Sequence, residues 1–379
     1  LPAEGGVHYE VEGPAAVPAV LLVSSLGTTT ALWEPQVRTL SGWLRVVRYD
    51  HRGHGRTPAT PGPYSIEDLA GDALAVMDAV GAGRFSVVGL SLGGMVAMWL
   101  AAHHPERVER LVLCGTAAKL GEPADWLERA ALVRAEGTAV LVETLLGRWF
   151  TPAFRTSSPE VAASVAAMVA GADPEGYAGC CEAIAGMDQR TDLARITAPT
   201  LVVGGADDPV VPPAAAVELH AAIRGSALQI LSDAAHLPNV EHPRRFGELL
   251  LDHLVGLAVH RGEATRRAVL GDSHVDRSLA ATNAFTAAFQ DLITRAAWGS
   301  VWARPGLDLR TRSCITVAVL AALGRPEELE LHLRGARRNG LSDAEIAEIL
   351  LHVSVYAGAP AANSALALAQ RVLGGDAEV

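Results

Sequence analysis

The stretch "VVGLSLGGMVAMW" (87–99) carries Ser91 between glycines, where a strand-like run becomes a helix-like one. G-x-S-x-G at such a junction lifts the hydroxyl onto a sharp turn at a helix N-terminus, where developing negative charge is stabilised. A serine oxygen becomes a nucleophile only beside a base, and the base needs an orienting carboxylate. Two later loops offer these partners. "GADDPVVP" (205–212) holds Asp207 and Asp208, and "DAAHLPNVEHP" (233–243) holds His236. The chemistry open to such a set is acyl transfer: attack on an ester, thioester or lactone carbonyl, then hydrolysis of the acyl-enzyme.

Asp208 is expected to be the acid, because Gly205-x-x-Asp208-x-x-x-Pro212 has the spacing of the usual acid loop; Asp207 is left to cap the following turn. An oxyanion needs two N–H donors. The expected pair is the backbone of Leu92, next after the serine, and of Leu26 in "SSLGTTTALW" (24–33). The Arg and His side chains of "DHRGHG" (50–55) are expected to brace the site rather than to react.

These residues need a scaffold that brings distant loops together. Short runs rich in Val, Leu and Ile at 19–25, 45–50, 85–90, 110–115, 199–205 and 228–234 fit strands buried on both faces. Helix-like segments at 66–80, 95–104, 214–223 and 243–255 lie between or after them. This alternation predicts an α/β fold with a doubly wound parallel sheet, whose site lies at the carboxyl edge. The order Ser, acid, His is that of α/β hydrolases. No strand is expected from about 122 to 194; that interval reads as a helical cap inserted between two strands.

The domain reading is 1–255 for the α/β unit, 256–262 for a linker and 263–379 for a separate all-α unit. Helices are expected there at 273–296, 311–323, 326–339, 343–356 and 360–373. Ser342 followed by Glu345 forms a capping-box pattern, and Gly340 stops the preceding helix.

Half of the 379 residues are hydrophobic and 19% are charged, which describes a core-forming chain. A formal net charge of −11 argues against nucleic acid or an anionic membrane as the main partner, while leaving room for a local arginine that holds an anionic small molecule. No apolar run reaches membrane-spanning length. The start "LPAEGGVHYEVEG" shows no secretion signal. The four cysteines have neither C-x-x-C nor zinc-ligand spacing, so no metal is expected and a reducing cytoplasmic setting is.

The first 255 residues resemble 3-oxoadipate enol-lactonases. The resemblance is carried by "LLVSSLGTTTALWEPQ", "YDHRGHGRTPA", "VVGLSLGGMVAMWLAAHHPERVERLVLCGTAAKLG", "AAHLPNVEHP" and the cap stretch "GRWFTPAF". The second unit resembles 4-carboxymuconolactone decarboxylases through "GDSHVDRSL" and the segment 310–366, beginning "RTRSCITVAVLAALG". The two families act consecutively in protocatechuate breakdown, in the β-ketoadipate pathway, so the double resemblance implies a bifunctional enzyme.

A lactone bearing a free carboxylate calls for a cation from the cap, and Arg134 is the first choice, with Arg129 and Arg148 as alternatives. For the decarboxylase, the resemblance implies that His332 in "ELHLRGA" delivers a proton. Arg312, or less favourably Arg310, would hold a carboxylate or enolate oxygen. His352 and Tyr356, one helical turn apart, would line the pocket or pack there. No cofactor is implied. The peroxidase branch of this superfamily has C-x-x-C shortly before the histidine; here "GRPEELELH" has no cysteine, which speaks against redox chemistry. Decarboxylase relatives imply a homo-oligomer formed through the second unit. Two other readings remain at this stage. One is a hydrolase of different ester or lactone specificity with the second unit as an oligomerisation module; the other is a binding protein on a hydrolase scaffold.

Overall fold

The computed structural model describes residues 6–374, except for the side chain of Leu257. The first five residues of the stretch read for a secretion signal lie outside the described residues. The chain divides into two compact units, Leu1–Val255 and Gly256–Val379.

The first unit is built on a seven-stranded sheet: β1 (Tyr9–Glu12), β2 (Ala19–Val23), β3 (Arg45–Tyr49), β4 (Phe85–Leu90), β5 (Val108–Cys114), β6 (Thr200–Gly205) and β7 (Ala227–Leu231). Their order is β1-β3-β2-β4-β5-β6-β7, with β1 antiparallel to β3 and every other pair parallel. The α/β hydrolase architecture expected from the alternation is what the chain adopts. β2, β4 and β6 are buried at every position, as continuous apolar runs demand of strands covered by helices on both faces. The sequence reading missed β1, whose alternation YEVE is short and half-polar.

The chain runs from β2 to β3 on one side and returns to β4 on the other. This reversal puts the loops after β2 and β4 next to each other, at the kind of crevice where open α/β sheets bind ligands. Val23 and Gly89 are in register across that junction. The helix after β4, Leu92–His103, is buried along most of its length. Between β5 and β6 lie helices Pro123–Glu136, Val142–Trp149, Pro152–Ser157, Pro159–Ala170 and Pro174–Ala185, and among the described residues of this interval there is no strand.

The second unit is helical throughout its described residues. The linker expected over 256–262 is not one. Gly256, in the left-handed region at φ 70°, is followed directly by helix Leu257–Leu270. A single glycine able to adopt that conformation turns the chain, so no extended segment is needed. The helix expected over 273–296 is also broken, into Asp272–Ala280 and Ala287–Ile293. Between them the Asn283 side chain accepts the N–H groups of Phe285 and Thr286, an alternative to helical pairing that stops the first helix.

From Thr294 to Trp302 the helix widens into a π-helix. It crosses Leu257–Leu270 at very close range: a Cβ on Gly262 would lie 2.1 Å from the Thr294 carbonyl oxygen, and one on Gly299 2.1 Å from that of Ala258. Helices Leu309–Ala322, Pro326–Arg338, Asp343–Ala357 and Ala359–Gly374 complete the unit around Val317, Leu329, Leu333, Ile346, Leu350 and Leu368. The Ser342–Glu345 capping box forms with both reciprocal hydrogen bonds.

Candidate active sites

Ser91 sits at φ 54° and ψ −114°, a conformation rare for any residue with a side chain. Strain of this sort costs roughly 1–3 kcal/mol and persists only where the surroundings over-determine it. Here the Ser91 N–H donates to Cys114 O at 2.9 Å, and Thr116 Oγ1 donates to Ser91 O at 2.8 Å. The glycines make the turn possible by close approach. A Cβ on Gly89 would lie 2.2 Å from Gly93 O, and one on Gly93 2.1 Å from Val23 O. The start of the helix is therefore pressed against the end of β2, bringing the Leu92 amide beside the Ser24–Leu26 loop.

The structure brings the three distant residues together. His236 Nε2 is 3.0 Å from Ser91 Oγ and accepts its hydrogen, while Nδ1–H donates to Asp208 Oδ2 at 2.8 Å. The other Asp208 oxygen accepts the N–H groups of Val210 and Val211 at 2.8 and 3.0 Å, which fixes the carboxylate. All three residues are buried, and Asp207 is exposed. Leu92 opens its helix, so its amide belongs to the turn that has no intrahelical acceptor. Among the described residues neither the Leu92 nor the Leu26 N–H has a protein acceptor.

The "DHRGHG" loop holds the strand-to-loop segment that carries Leu26. His51 Nε2–H donates to Ser24 O at 3.0 Å. His54 Nε2 accepts Gly27 N–H at 3.0 Å, while its Nδ1–H donates to Arg52 O at 2.9 Å. Asp50 accepts the N–H groups of Thr30 and Arg56. Burial pushes both histidines down to about 4, further for His54 through the neighbouring His51, so both are neutral and their tautomers are set by these bonds.

The three cap arginines separate clearly. Arg134 is not free to bind a ligand: Glu175 and Glu182 pair with it at 2.7 and 2.6 Å, a double neutralisation that sequence spacing did not reveal because both partners lie more than 40 residues away. Arg148 donates to Pro209 O at 3.3 Å. It lines a cleft of about 820 Å³ with Phe150, Phe154, Asp207 and His242, beside the Asp–His pair. Arg129 lies over the Trp126 ring, 4.7 Å from its centroid, with no carboxylate at ion-pair distance among the described residues. Its charge acts on Tyr177, whose buried phenol burial raises and Arg129 lowers. Among the described residues no group meets hydrogen-bond geometry with the Tyr177 hydroxyl, and its ring stacks on His54 at 6.2 Å. A Cβ on Gly27 would lie 3.1 Å from that ring and 3.7 Å from Trp149, whose indole lies 6.3 Å from the His236 ring. Cap and oxyanion loop thus share one wall.

In the second unit His332 lies against two indoles. Its ring is nearly parallel to Trp298 (6.1 Å, 8°) and Trp302 (5.8 Å, 22°), both on the π-helix. Its Nδ1 is buried without a hydrogen-bond partner among the described residues. Burial lowers its pKa to about 4, with Glu328 opposing and His274 adding to the shift. The other expected residues do not converge on it. Arg312 donates to the carbonyls of Leu307 and Arg304, clipping the loop before its own helix. Arg310 pairs with Glu345. His352 and Tyr356 do share a helix face, with rings 5.0 Å apart, but that face is exposed because Ile346, Leu350 and Val353 occupy the buried one. The pocket-lining expectation fails within one chain for this reason.

Sequence reasoning also overlooked Glu241, which binds the histidine loop, Trp298 and Trp302 against His332, and Arg266 and His274 elsewhere in the second unit. Arg266 was hidden in the stretch read as leading into the second unit. The available signal was an arginine in "RRAVLGDSHVDRS", whose burial shows only after folding.

Residues 18–243 match the alpha/beta hydrolase fold family, and residues 287–371 match the carboxymuconolactone decarboxylase family. The chain is 40% identical to 3-oxoadipate enol-lactonase 2 of Acinetobacter baylyi over 240 residues, 63% of this chain and 90% of that protein. It is 51% identical to 4-carboxymuconolactone decarboxylase of the same organism over 112 residues, 30% of this chain and 84% of that protein. Among solved structures, the enol-lactonase from Burkholderia xenovorans LB400 superposes with a TM-score of 0.64 at 41% identity, covering 66% of this chain and 96% of that one. The chain belongs to the α/β hydrolase fold family and carries, fused behind that domain, a member of the carboxymuconolactone decarboxylase family.

Proposed function

We propose that the chain catalyses two consecutive steps of the β-ketoadipate pathway. The second unit decarboxylates 4-carboxymuconolactone to 3-oxoadipate enol-lactone, and the first unit hydrolyses that lactone to 3-oxoadipate. One observation carries the reading: likeness to an enol-lactonase and to a carboxymuconolactone decarboxylase on a single chain, two enzymes that share an intermediate.

In the first unit Ser91 Oγ attacks the lactone carbonyl as His236 Nε2 takes its proton, and Asp208 steadies the imidazolium that forms. The tetrahedral oxyanion is received by the Leu26 and Leu92 amides. Collapse breaks the ring C–O bond and releases an enol, which becomes a ketone and makes this half-reaction strongly downhill. Water activated by His236 then frees the acid. Arg129, a cap arginine with no carboxylate at ion-pair distance among the described residues, holds the substrate carboxylate, with the Tyr177 hydroxyl available as a second donor.

In the second unit the carboxylate leaves as carbon dioxide, and its bonding pair passes through the conjugated double bond into the lactone carbonyl. His332 returns a proton to the ring carbon. The reaction needs stabilised charge and a proton but no redox partner. The second unit forms a homo-oligomer, a reading supported by apolar side chains left open on it: Phe285 is 95% exposed and Val355 75%. Among the described residues no helix is long and apolar enough to cross a membrane. A reducing cytoplasmic setting is supported by the four free cysteines.

Supplying 4-carboxymuconolactone to the wild type, Ser91→Ala and His332→Ala tests the assignment. Wild type is expected to form 3-oxoadipate, Ser91→Ala to accumulate the enol-lactone, and His332→Ala to leave the starting lactone largely unconsumed. Formation of 3-oxoadipate by Ser91→Ala at the wild-type rate would rule out the nucleophile.

A further inference from the structure

Arg266 is the buried cation of the second unit for which the proposed chemistry has so far had no use. It is 7% exposed, and among the described residues no carboxylate lies at ion-pair distance. Its Nη1 donates to Gln290 Oε1 at 3.1 Å and its Nη2 to Ser278 Oγ at 2.8 Å, both neutral acceptors. Its Nε is buried with no hydrogen-bond partner among the described residues. Glu263, the acid whose charge it feels, is engaged by Arg267 at 2.9 Å. A buried guanidinium held by neutral groups keeps its full charge for something else, because stranding a charge away from water is costly unless an anion joins it.

The surroundings point to where that anion sits. Ser278 and His274 are four residues apart on helix Asp272–Ala280, so they share a face. His274 feels the positive charge of Arg266 and in turn acts on His332. Gly262, one turn before Arg266, packs against Thr294 and Gly299 of the π-helix whose Trp298 and Trp302 stack on His332, and Ser278, bonded to Arg266, shares a helix face with His274, so the three side chains border one helix junction. His332 contributes a buried, unpartnered Nδ1, and Trp298 and Trp302 wall one side. Both histidines are only half-buried, whereas Arg266 is buried. Arg277 and Arg338 lie near enough to act on His274 and add to the positive field; Glu328, facing His332, is the opposing charge.

We propose that Arg266, seconded by His274, binds the carboxylate that a dicarboxylate lactone keeps through the reaction, leaving the carboxylate to be lost close to His332. The assignment rests on reading the second unit as the decarboxylase. It gives the cluster a division of labour. The cationic end anchors the retained carboxylate, and the C–C bond to the other carboxylate breaks with its electron pair delocalised into the lactone carbonyl. His332, protonated from solvent once the anionic substrate is bound, then gives that proton to the ring carbon. Neither step needs a co-reactant other than a proton. Arg266 is also suited to anchoring rather than proton transfer, since a guanidinium keeps its proton throughout.

The test uses the full chain in a Ser91→Ala background, so that the product of the second unit persists. Arg266→Gln is expected to raise KM for 4-carboxymuconolactone at least roughly tenfold, as loss of a charge-assisted contact does. Arg266→Lys should recover part of that loss. His274→Asn, at a half-exposed position that tolerates change, should raise KM while leaving kcat closer to wild type than His332→Ala does. Calorimetric titration with adipate, an inert dicarboxylate, provides a readout independent of turnover: binding by wild type should be lost in Arg266→Gln, and neutral dimethyl adipate should bind neither. Adipate binding that needs Arg266, in a wild type that does not decarboxylate, would uphold the anion site and refute the decarboxylase reading. Wild-type KM and adipate affinity in both Arg266→Gln and His274→Asn would overturn the assignment.

Discussion

The Glu241 carboxylate accepts the backbone N–H of Ala235 at 2.5 Å, one residue before His236. Its other oxygen accepts the N–H and hydroxyl of Thr151 in the cap, both at 2.8 Å. A single buried side chain therefore ties the loop that carries His236 to the cap, and Leu237 N–H adds a bond to Trp149 O at 3.2 Å. Glu241 acts through His236, so it is a positioning residue. Glu241→Ala is expected to lower lactonase kcat roughly 10- to 100-fold, the scale of a small misplacement of a reacting group. The decarboxylase rate of the same protein should not change. Glu241→Gln, which keeps an acceptor, should recover part of the loss. Equal loss of both activities would instead indicate general unfolding.

Asp208 and Asp207 are adjacent in sequence and opposite in surroundings. Asp208 is buried and bonded to His236, whereas Asp207 is exposed. Asp208→Asn would place a donor opposite Nδ1 and favour the wrong imidazole tautomer. Lactonase kcat is expected to fall by as much as about 10⁴-fold with substrate KM little changed. Asp207→Asn should stay near wild type. Steady-state kinetics on the two variants in parallel checks the choice.

The cap arginines should separate in the same way. Arg129→Ala is expected to raise lactonase KM by roughly 10-fold or more, through loss of a charge-assisted contact to the substrate carboxylate. Arg134→Ala should leave KM near wild type and cost about 0–1 kcal/mol of stability, because its guanidinium is partly exposed and occupied by Glu175 and Glu182. A KM increase confined to Arg134→Ala would reverse the assignment.

Acid should loosen the first unit before most carboxylates titrate. Burial lowers His51, His54 and His253 to about 4 from an ordinary value of 6.5. The folded state therefore disfavours the protons that the unfolded chain accepts. The stability this confers is complete above pH 6.5, declines as pH falls below it, and is lost by pH 4, by roughly 3 kcal/mol for each histidine. Unfolding free energies measured between pH 7 and 4 should show this slope. His54→Asn should reduce it by about 1.4 kcal/mol per pH unit between the two values. An unchanged slope would contradict the assigned neutral state of His54.

By itself the sequence determined the alternation that makes a doubly wound sheet, the turn that lifts Ser91, and the order of nucleophile, acid and base. Each follows from local rules: apolar run length, glycine spacing and the loops that end strands. β1 escaped notice because a half-polar run of four residues carries little periodicity, and the break near Asn283 because side-chain competition with the backbone depends on geometry. Only the tertiary structure decided which charges are free. Arg134, Arg129 and Arg266 are alike in a sequence. Folding brings Glu175 and Glu182 to the first, leaves the second over an indole, and buries the third among neutral acceptors. A charge's availability is set by what surrounds it in space, and contacts between residues far apart along the chain leave no periodic trace.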